Sequence, residues 1–330
     1  MFFVTHKNTF LGIAIGVVIA SIGIIMTLGL PLGIDFTGGA LTEVSYGVVP
    51  EKAEMEAALD TQGLGAYSLR ETADETGRDG YILRSRDLTE EERIAVGGVL
   101  TSLGEGAEIT RFTSIGPVIG EELKDKAVWA IAGVSFIIIL YVAFAFAGVS
   151  YPVGSWIYGG ITIVALLHDV IVPAAVMVLL GFFFGAEADV LFVMALLAVL
   201  GYSVNDTIVV FDRVRENLVK HRNEKKTKVV GVDGFEREEI TYTLKKPFGD
   251  IVGESVSQTL MRSINTSITT LVALGALYFL GGSVTQTFAL VLIAGVLAGT
   301  YSSICIANPL LVYVAERKAA KGEQKKSVKE

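Results

Sequence analysis

The sequence has a single cysteine, Cys305, and three histidines, His6, His168 and His221. One thiol excludes an intrachain disulfide framework and any cysteine-built metal cage, and three scattered imidazoles leave little for a histidine metal site. Proline is sparse at 7 residues, and charged residues make up only 19%, against about 25% in ordinary soluble domains. There is no G-x-x-x-x-G-K-[ST] phosphate loop, which argues against ATP hydrolysis by this chain, and no H-E-x-x-H, which argues against a zinc intramembrane protease. No cofactor, metal or nucleic-acid partner is expected, and no bond chemistry. Apolar residues, by contrast, fill 52% of the sequence. With its 36 glycines the share reaches roughly 63%, where soluble domains have about 45–50%. The mean hydropathy of +0.56 agrees. This is the composition of a polytopic membrane protein.

The stretches without charge locate the spans, each of which needs about 20 mostly apolar residues. Residues 10–30 carry no charge and follow His6 and Lys7. The stretch is longer than the about 7–15 residues of a cleaved signal and lacks a small-x-small site, so it reads as a retained first span. Residues 127–167 are 41 positions without charge, broken by the turn-like Gly148-Val149-Ser150-Tyr151-Pro152. Spans two and three are expected at 128–147 and 153–180, and span four at 190–211. Residues 263–315 are 53 further positions without charge, broken at Gly281-Gly282-Ser283, which places spans five and six at 260–280 and 286–312. Six spans put both termini on one side. The 212–257 segment holds ten Lys/Arg and the 316–330 tail six, while 181–189 and 281–285 hold none. Positive charge stays inside, so the termini and the 212–257 loop are expected in the cytoplasm. The expected organisation is a cytoplasmic N-terminus with span one (1–30), an extracytoplasmic domain (31–126), spans two to six (127–315) and a basic cytoplasmic tail (316–330).

Residues 31–126 contain no spanning stretch. Residues 40–46 alternate as a strand does, 50–62 read as a helix opened by Pro50, and 66–72 and 80–84 read as strands about a turn containing Gly77. Thr89-Glu90-Glu91-Glu92 is a capping box opening a second helix to about Leu103, and 107–114 is a last strand. The order β-α-β-β-α-β is the split, ferredoxin-like arrangement.

Charged groups inside the spans carry the functional signal, since each costs at least about 2.5–3.5 kcal/mol to insert. Asp206 lies about five residues inside span four, in the polar run Tyr202-Ser203-Val204-Asn205-Asp206-Thr207. Its side chain is too short to reach the interface easily. His168-Asp169 lies near mid-depth in span three; a structural hydrogen bond and a role in proton movement are both open. Arg262 opens the run Ser263, Asn265, Thr266, Ser267, Thr269 and Thr270 entering span five, where an interface anchor and a functional charge are both open. Cys305 reads as packing.

Several of these words together resemble the SecF branch of the SecD/SecF protein-export family, within the resistance-nodulation-division superfamily. Ile34-Asp35-Phe36-Thr37-Gly38-Gly39 is similar to that family's DFTGG signature, and Ser114-Ile115-Gly116-Pro117-Val118-Ile119-Gly120 to its VGP-x-VG segment. His168-Asp169-Val170 resembles its HDV. The run Gly201–Asn217 resembles GYS-x-NDTIVV-x-DR-x-REN, and Ser257–Ser267 its QT-x-x-R-x-x-x-TS region. Two departures stand out: Ala145 replaces a usual basic residue in Y-x-x-F-R-F, and the 220–250 loop is longer than the family norm.

The resemblance implies six transmembrane helices forming half of a resistance-nodulation-division bundle, a SecD-like partner subunit and the SecYEG translocon. It implies use of the proton or sodium gradient to promote late export of unfolded preproteins across the cell membrane. Asp206, Arg262, Asp169 and His168 would then serve ion coupling, with Ser203, Asn205, Thr207, Asn265 and Thr266 as supporting polar groups. Asp35, Phe36, Thr37, Gly38, Gly39, Gly116 and Pro117 would be structural. The rival is half of a proton-coupled exporter of small hydrophobic molecules. A single small outer domain of about 95 residues disfavours it.

Overall fold

The computed structural model describes residues 2–73, 77–146, 152–230 and 236–327. The break expected at Gly148–Tyr151 lies outside the described residues. A short helix α1 (Phe2–Thr5) precedes the first span, α2 (Lys7–Leu28), which ends at Gly29 with φ 73°. A single helical turn, α3 (Ile34–Thr37), leads into the small sheet domain: β1 (Gly39–Ser45), α4 (Lys52–Asp60), β2 (Ser68–Ala73), β3 (Asp79–Ser85), α5 (Glu90–Ser102) and β4 (Glu108–Ile115). The other spans are α6 (Pro117–Ala145), α7 (Ser155–Phe184) and α8 (Val190–Lys220). A hairpin, β5 (Arg222–Val230) and β6 (Glu236–Leu244), precedes α9 (Phe248–Leu280). The sixth span is α10 (Ser283–Ser302) continued through a π turn, Ser303–Ala307, into α11 (Asn308–Ser327). Among the described residues six helices are long and apolar enough to cross a membrane.

The sheet is antiparallel in the order β2-β3-β1-β4, the ferredoxin-like order read from the sequence. Leu41 sits opposite Arg84 and Leu69 opposite Leu83, with an irregularity between Glu43 and Val44. Alternation sends Val44, Tyr46, Leu69, Tyr81 and Leu83 to one face, where they pack on Met55 and Leu59 of α4 and Val96 and Leu100 of α5. The capping box forms as written: Thr89 accepts from the Glu92 N–H, and Glu92 accepts from the Thr89 N–H.

Four helices outrun the apolar stretches that announced them. α6 starts at Pro117 rather than 128, α8 continues to Lys220 rather than 211, α9 begins at Phe248 rather than 260, and α11 reaches Ser327. Lack of charge reports what lipid tolerates, whereas helical backbone continues wherever one side can still pack. On these extensions Val214 and Leu218 of α8 and Ile251, Val252 and Val256 of α9 join a buried cluster with Phe146, Tyr158, Leu311 and Val312. Where the family's basic residue is missing, Arg215 of α8 donates to the Ala145 carbonyl (3.4 Å) and lies 5.8 Å from the Phe146 ring.

Glycine sets two close approaches. On α10, a β-carbon at Gly299 would lie 3.0 Å from that of Ser203, and one at Gly295 would overlap the Val199 side chain, so α8 and α10 approach closely. At the other junction α3 lies against the start of α6. Gly38 has φ +72°, and a β-carbon there would lie 2.8 Å from the Pro117 Cα; one at Gly120 would lie 2.8 Å from the Gly38 nitrogen. The two glycine motifs are thus the two sides of one joint between the sheet domain and the bundle. Gly38→Ala and Gly120→Ala should each lower the thermal unfolding midpoint in detergent, by the equivalent of about 1–3 kcal/mol of overpacking. Gly116→Ala, with nothing within 4 Å of its added carbon, should not. An unchanged midpoint for both would contradict the joint.

Candidate functional site: buried carboxylates between the spans

A carboxylate in a bilayer must find donors within the protein. Asp169 of α7 is 0% exposed. Its Oδ2 accepts from Ser203 Oγ of α8 and from Ser302 Oγ of α10 (2.6 Å). Its Oδ1 faces His168 Nδ1 at 2.8 Å, so with the carboxylate ionised Nδ1 carries the hydrogen. Three spans therefore converge on one anion, and every bond to it crosses a helix or fixes a ring. The sequence left open whether His168 and Asp169 act together; in the structure they are hydrogen-bonded to each other.

Asp206 lies three residues beyond Ser203 on the same helix and is buried as well. Its surroundings differ. Oδ1 accepts from Ser263 Oγ of α9 at 3.1 Å, while Oδ2 is buried without a hydrogen-bond partner in this chain. Ser303 lies beside Asp206, yet donates to the Thr300 carbonyl (3.1 Å). Arg262 lies within electrostatic reach of Asp206 but is exposed. Among the described residues it forms no ion pair, and its neighbour Ser263 holds the carboxylate instead. One buried carboxylate is thus fully supplied with donors and the next is not.

The remaining candidates divide by face. Thr207 is buried and donates to the Ser203 carbonyl (3.3 Å), and Thr266 donates to the Arg262 carbonyl (2.9 Å), so both serve their own helix. Asn205, Asn265 and Arg262 are exposed, and neither asparagine is among the partners of Asp169 or Asp206. Sequence reasoning missed Ser263 as a ligand of Asp206 and missed Ser302 altogether. Two adjacent serines, Ser302-Ser303, followed by Asn308-Pro309 in an otherwise apolar stretch were the available signal. Pro309 has no N–H to give the Cys305 carbonyl one turn back, and the helix widens there into the π turn. Asn308 Nδ2 caps the displaced Ser303 carbonyl (2.6 Å).

The sheet-domain end of α8 is held by the DFTGG turn. Asp35 Oδ2 accepts from the Val190 N–H (3.0 Å), and Asp189 accepts from the Phe192 N–H (2.9 Å), two carboxylates on one helix N-terminus. Residues 31–33 run beside the α7–α8 turn, with Gly33 N–H donating to the Ala188 carbonyl (2.8 Å) and Ala188 N–H to the Pro31 carbonyl (2.7 Å). Arg84 pairs with Glu187, and Arg70 donates to the Gly185 carbonyl (2.6 Å). A cleft of about 330 Å³ remains between the sheet's second face and the bundle. Burial pushes the Asp189 carboxyl above the ordinary carboxylate range, against the pull of the Phe192 N–H, and Asp35 adds to the rise.

Six spans, a small α+β domain inserted after the first, and buried carboxylates on the third and fourth define a multi-pass membrane protein with a small inserted sheet domain. The comparisons give the family. The profile described as "Protein export membrane protein SecD/SecF, C-terminal" matches residues 95–234 and 232–317, and the SecD/SecF GG motif matches 23–47. The protein translocase subunit SecF of Sebaldella termitidis is 35% identical, covering 98% of this chain and 94% of that one. That of Thermobaculum terrenum is 38% identical, covering 87% and 86%. A crystal structure of SecDF from Thermus thermophilus, a translocon-associated membrane protein, superposes with a TM-score of 0.77 at 30% identity, covering 96% of this chain and 39% of that one. The chain belongs to the SecD/SecF protein-export family, and its relatives are protein translocase subunits.

Two stability outcomes follow. Ser302→Ala removes a donor from a fully buried carboxylate and should cost about 1–3 kcal/mol. Ser303→Ala, whose hydroxyl serves a backbone carbonyl, should cost less; equal losses in thermal midpoint would contradict the Asp169 arrangement. At Asp189 the folded-state pKa is raised, so the ionised form favours unfolding. The chain should gain stability as pH falls through that raised value towards the unfolded value of about 3.9. Asp189→Asn keeps an acceptor for the cap and should remove this part of the pH dependence, read as midpoints at successive pH values.

Proposed function

We propose that this chain is the SecF-like subunit of a Sec translocase accessory complex that uses the proton or sodium gradient to promote late stages of preprotein export. The observation that carries this reading is the buried, unpartnered Oδ2 of Asp206, three residues along α8 from the Ser203 that helps to satisfy Asp169. A carboxylate oxygen free of donors, in a dry site, is suited to taking up and releasing a cation, whereas one held by three donors is suited to joining helices. Arg262 cannot exchange protons at working pH, so its part is electrostatic: approaching Asp206 favours the ionised form, and withdrawing favours uptake.

The reading places both termini and the β5–β6 hairpin in the cytoplasm, following the Lys/Arg bias, and the sheet domain outside the cell membrane, where it handles unfolded preprotein. It assigns a SecD-like partner to cover the exposed Asn205 of α8 and Arg262 and Asn265 of α9, since polar groups turned to lipid are costly. SecYEG is the proposed neighbour that delivers the emerging chain. The exporter of small hydrophobic molecules is disfavoured by a sheet domain with one four-stranded sheet and one small core.

Purification in mild detergent from cells that also make the partner should recover both subunits together; a stable, export-active chain alone would contradict the assigned interface. Asp206→Asn keeps the shape and removes titration. It should assemble normally and lose gradient-dependent export from membrane vesicles, and Arg262→Met should impair the same dependence. Asp35→Asn, which still offers an oxygen to the α8 N-terminus, should leave it intact. Wild-type gradient dependence in Asp206→Asn vesicles would overturn the mechanism.

A further inference from the structure

Three consecutive residues at the end of α10 face three different partners. Tyr301 donates its hydroxyl to the Phe10 carbonyl of the first span (2.8 Å), and its ring stacks on His168 with centroids 5.9 Å apart. Ser302 donates to Asp169 (2.6 Å). Ser303 lies beside Asp206. Successive helical residues point about 100° apart, so one turn of one helix reaches the first, third and fourth spans together. The π turn starts at Ser303, and such turns inside helices are frequent at functional sites.

We infer that Tyr301 is a positioning residue which transmits changes at the buried carboxylates to the first span. The inference rests on the reading of Asp206 as the exchanging group. Uptake or release there alters what Asp206 requires of α9 and of the Ser303 turn. Ser203, one turn away on α8, and Ser302 on α10 are both tied to Asp169, so relative movement of these helices is felt at Asp169 and at the His168 ring bonded to it. Tyr301 is packed on that ring and bonded to the first span, which runs on through α3 into β1 of the sheet domain. The ion pair of Lys7 with Glu316 (2.5 Å) ties the same end of the first span to α11. Here the first span is more than an anchor: its position is set from inside the bundle.

Tyr301→Phe retains the ring and removes the hydroxyl that holds Phe10. The test uses the full chain co-purified with its partner and reconstituted in lipid nanodiscs, with Cys305→Ala and spin labels at Ile13→Cys and Trp156→Cys. Both label sites are exposed, on the first and third spans. Introducing Asp206→Asn as the neutral form should shift the distance distribution between the labels, and in the Tyr301→Phe background that shift should be lost. Export vesicles carrying Tyr301→Phe should likewise lose most gradient stimulation while the two subunits still co-purify. A shift that persists in Tyr301→Phe, or no shift on Asp206→Asn although export has lost its gradient dependence, overturns the role of Tyr301. Export by Asp206→Asn that keeps wild-type gradient dependence instead overturns the underlying reading, and the two failures are told apart by that assay.

Discussion

The constraint on which the bundle depends is the burial of the Asp169 carboxylate. A carboxyl group buried between spans is costly unless its oxygens find partners within the protein, and these come from α8, from α10 and from the histidine beside it. This requirement explains features that look unrelated in the sequence. Ser203 and Ser302 must approach a common point, which Gly299 permits by leaving no side chain between α10 and Ser203.

Against this fixed centre Asp206 stands out by what it lacks. Both carboxylates are on inner faces of the bundle and both have a serine from a neighbouring helix. Only one has an oxygen left over. The difference distinguishes two carboxylates that residue type alone does not separate, one with both oxygens bonded to neighbouring side chains and one with an oxygen unpartnered. The sheet-domain end of the same helix is pinned by Asp35 and Asp189, so α8 carries a cap set by the DFTGG turn at one end and the proposed exchanging group, Asp206, towards the other. Displacement of α8 along its axis cannot leave the joint at Gly38 and Pro117 untouched, because Asp35 belongs to the turn that forms that joint.

Much of this was legible in the sequence. Strand alternation and the Thr89–Glu92 box sufficed for the order of the sheet domain, because a small two-layer domain has few ways to cover one sheet face. Charge-free length sufficed for six spans, but not for their ends. Val214, Leu218, Ile251 and Val256 keep α8 and α9 helical through charged sequence by packing on one side, a tertiary fact with no local mark. The importance of Asp206 was legible as insertion cost. The contrast with Asp169 was not, since it depends on Ser263 and Ser302 arriving from helices far along the chain. Arg262 was legible as a charge, whereas its exposure depends on which face of α9 the rest of the bundle leaves uncovered.

The most direct test of the central claim observes the carboxyl groups themselves. Infrared difference spectra of the reconstituted two-subunit complex, taken as pH or sodium is changed on one side, should contain a carboxyl C=O band that appears on neutralisation. The account requires that band to vanish in Asp206→Asn and to survive, shifted at most, in Asp169→Asn. A band that survives in Asp206→Asn and vanishes in Asp169→Asn would reverse the two roles and contradict the account.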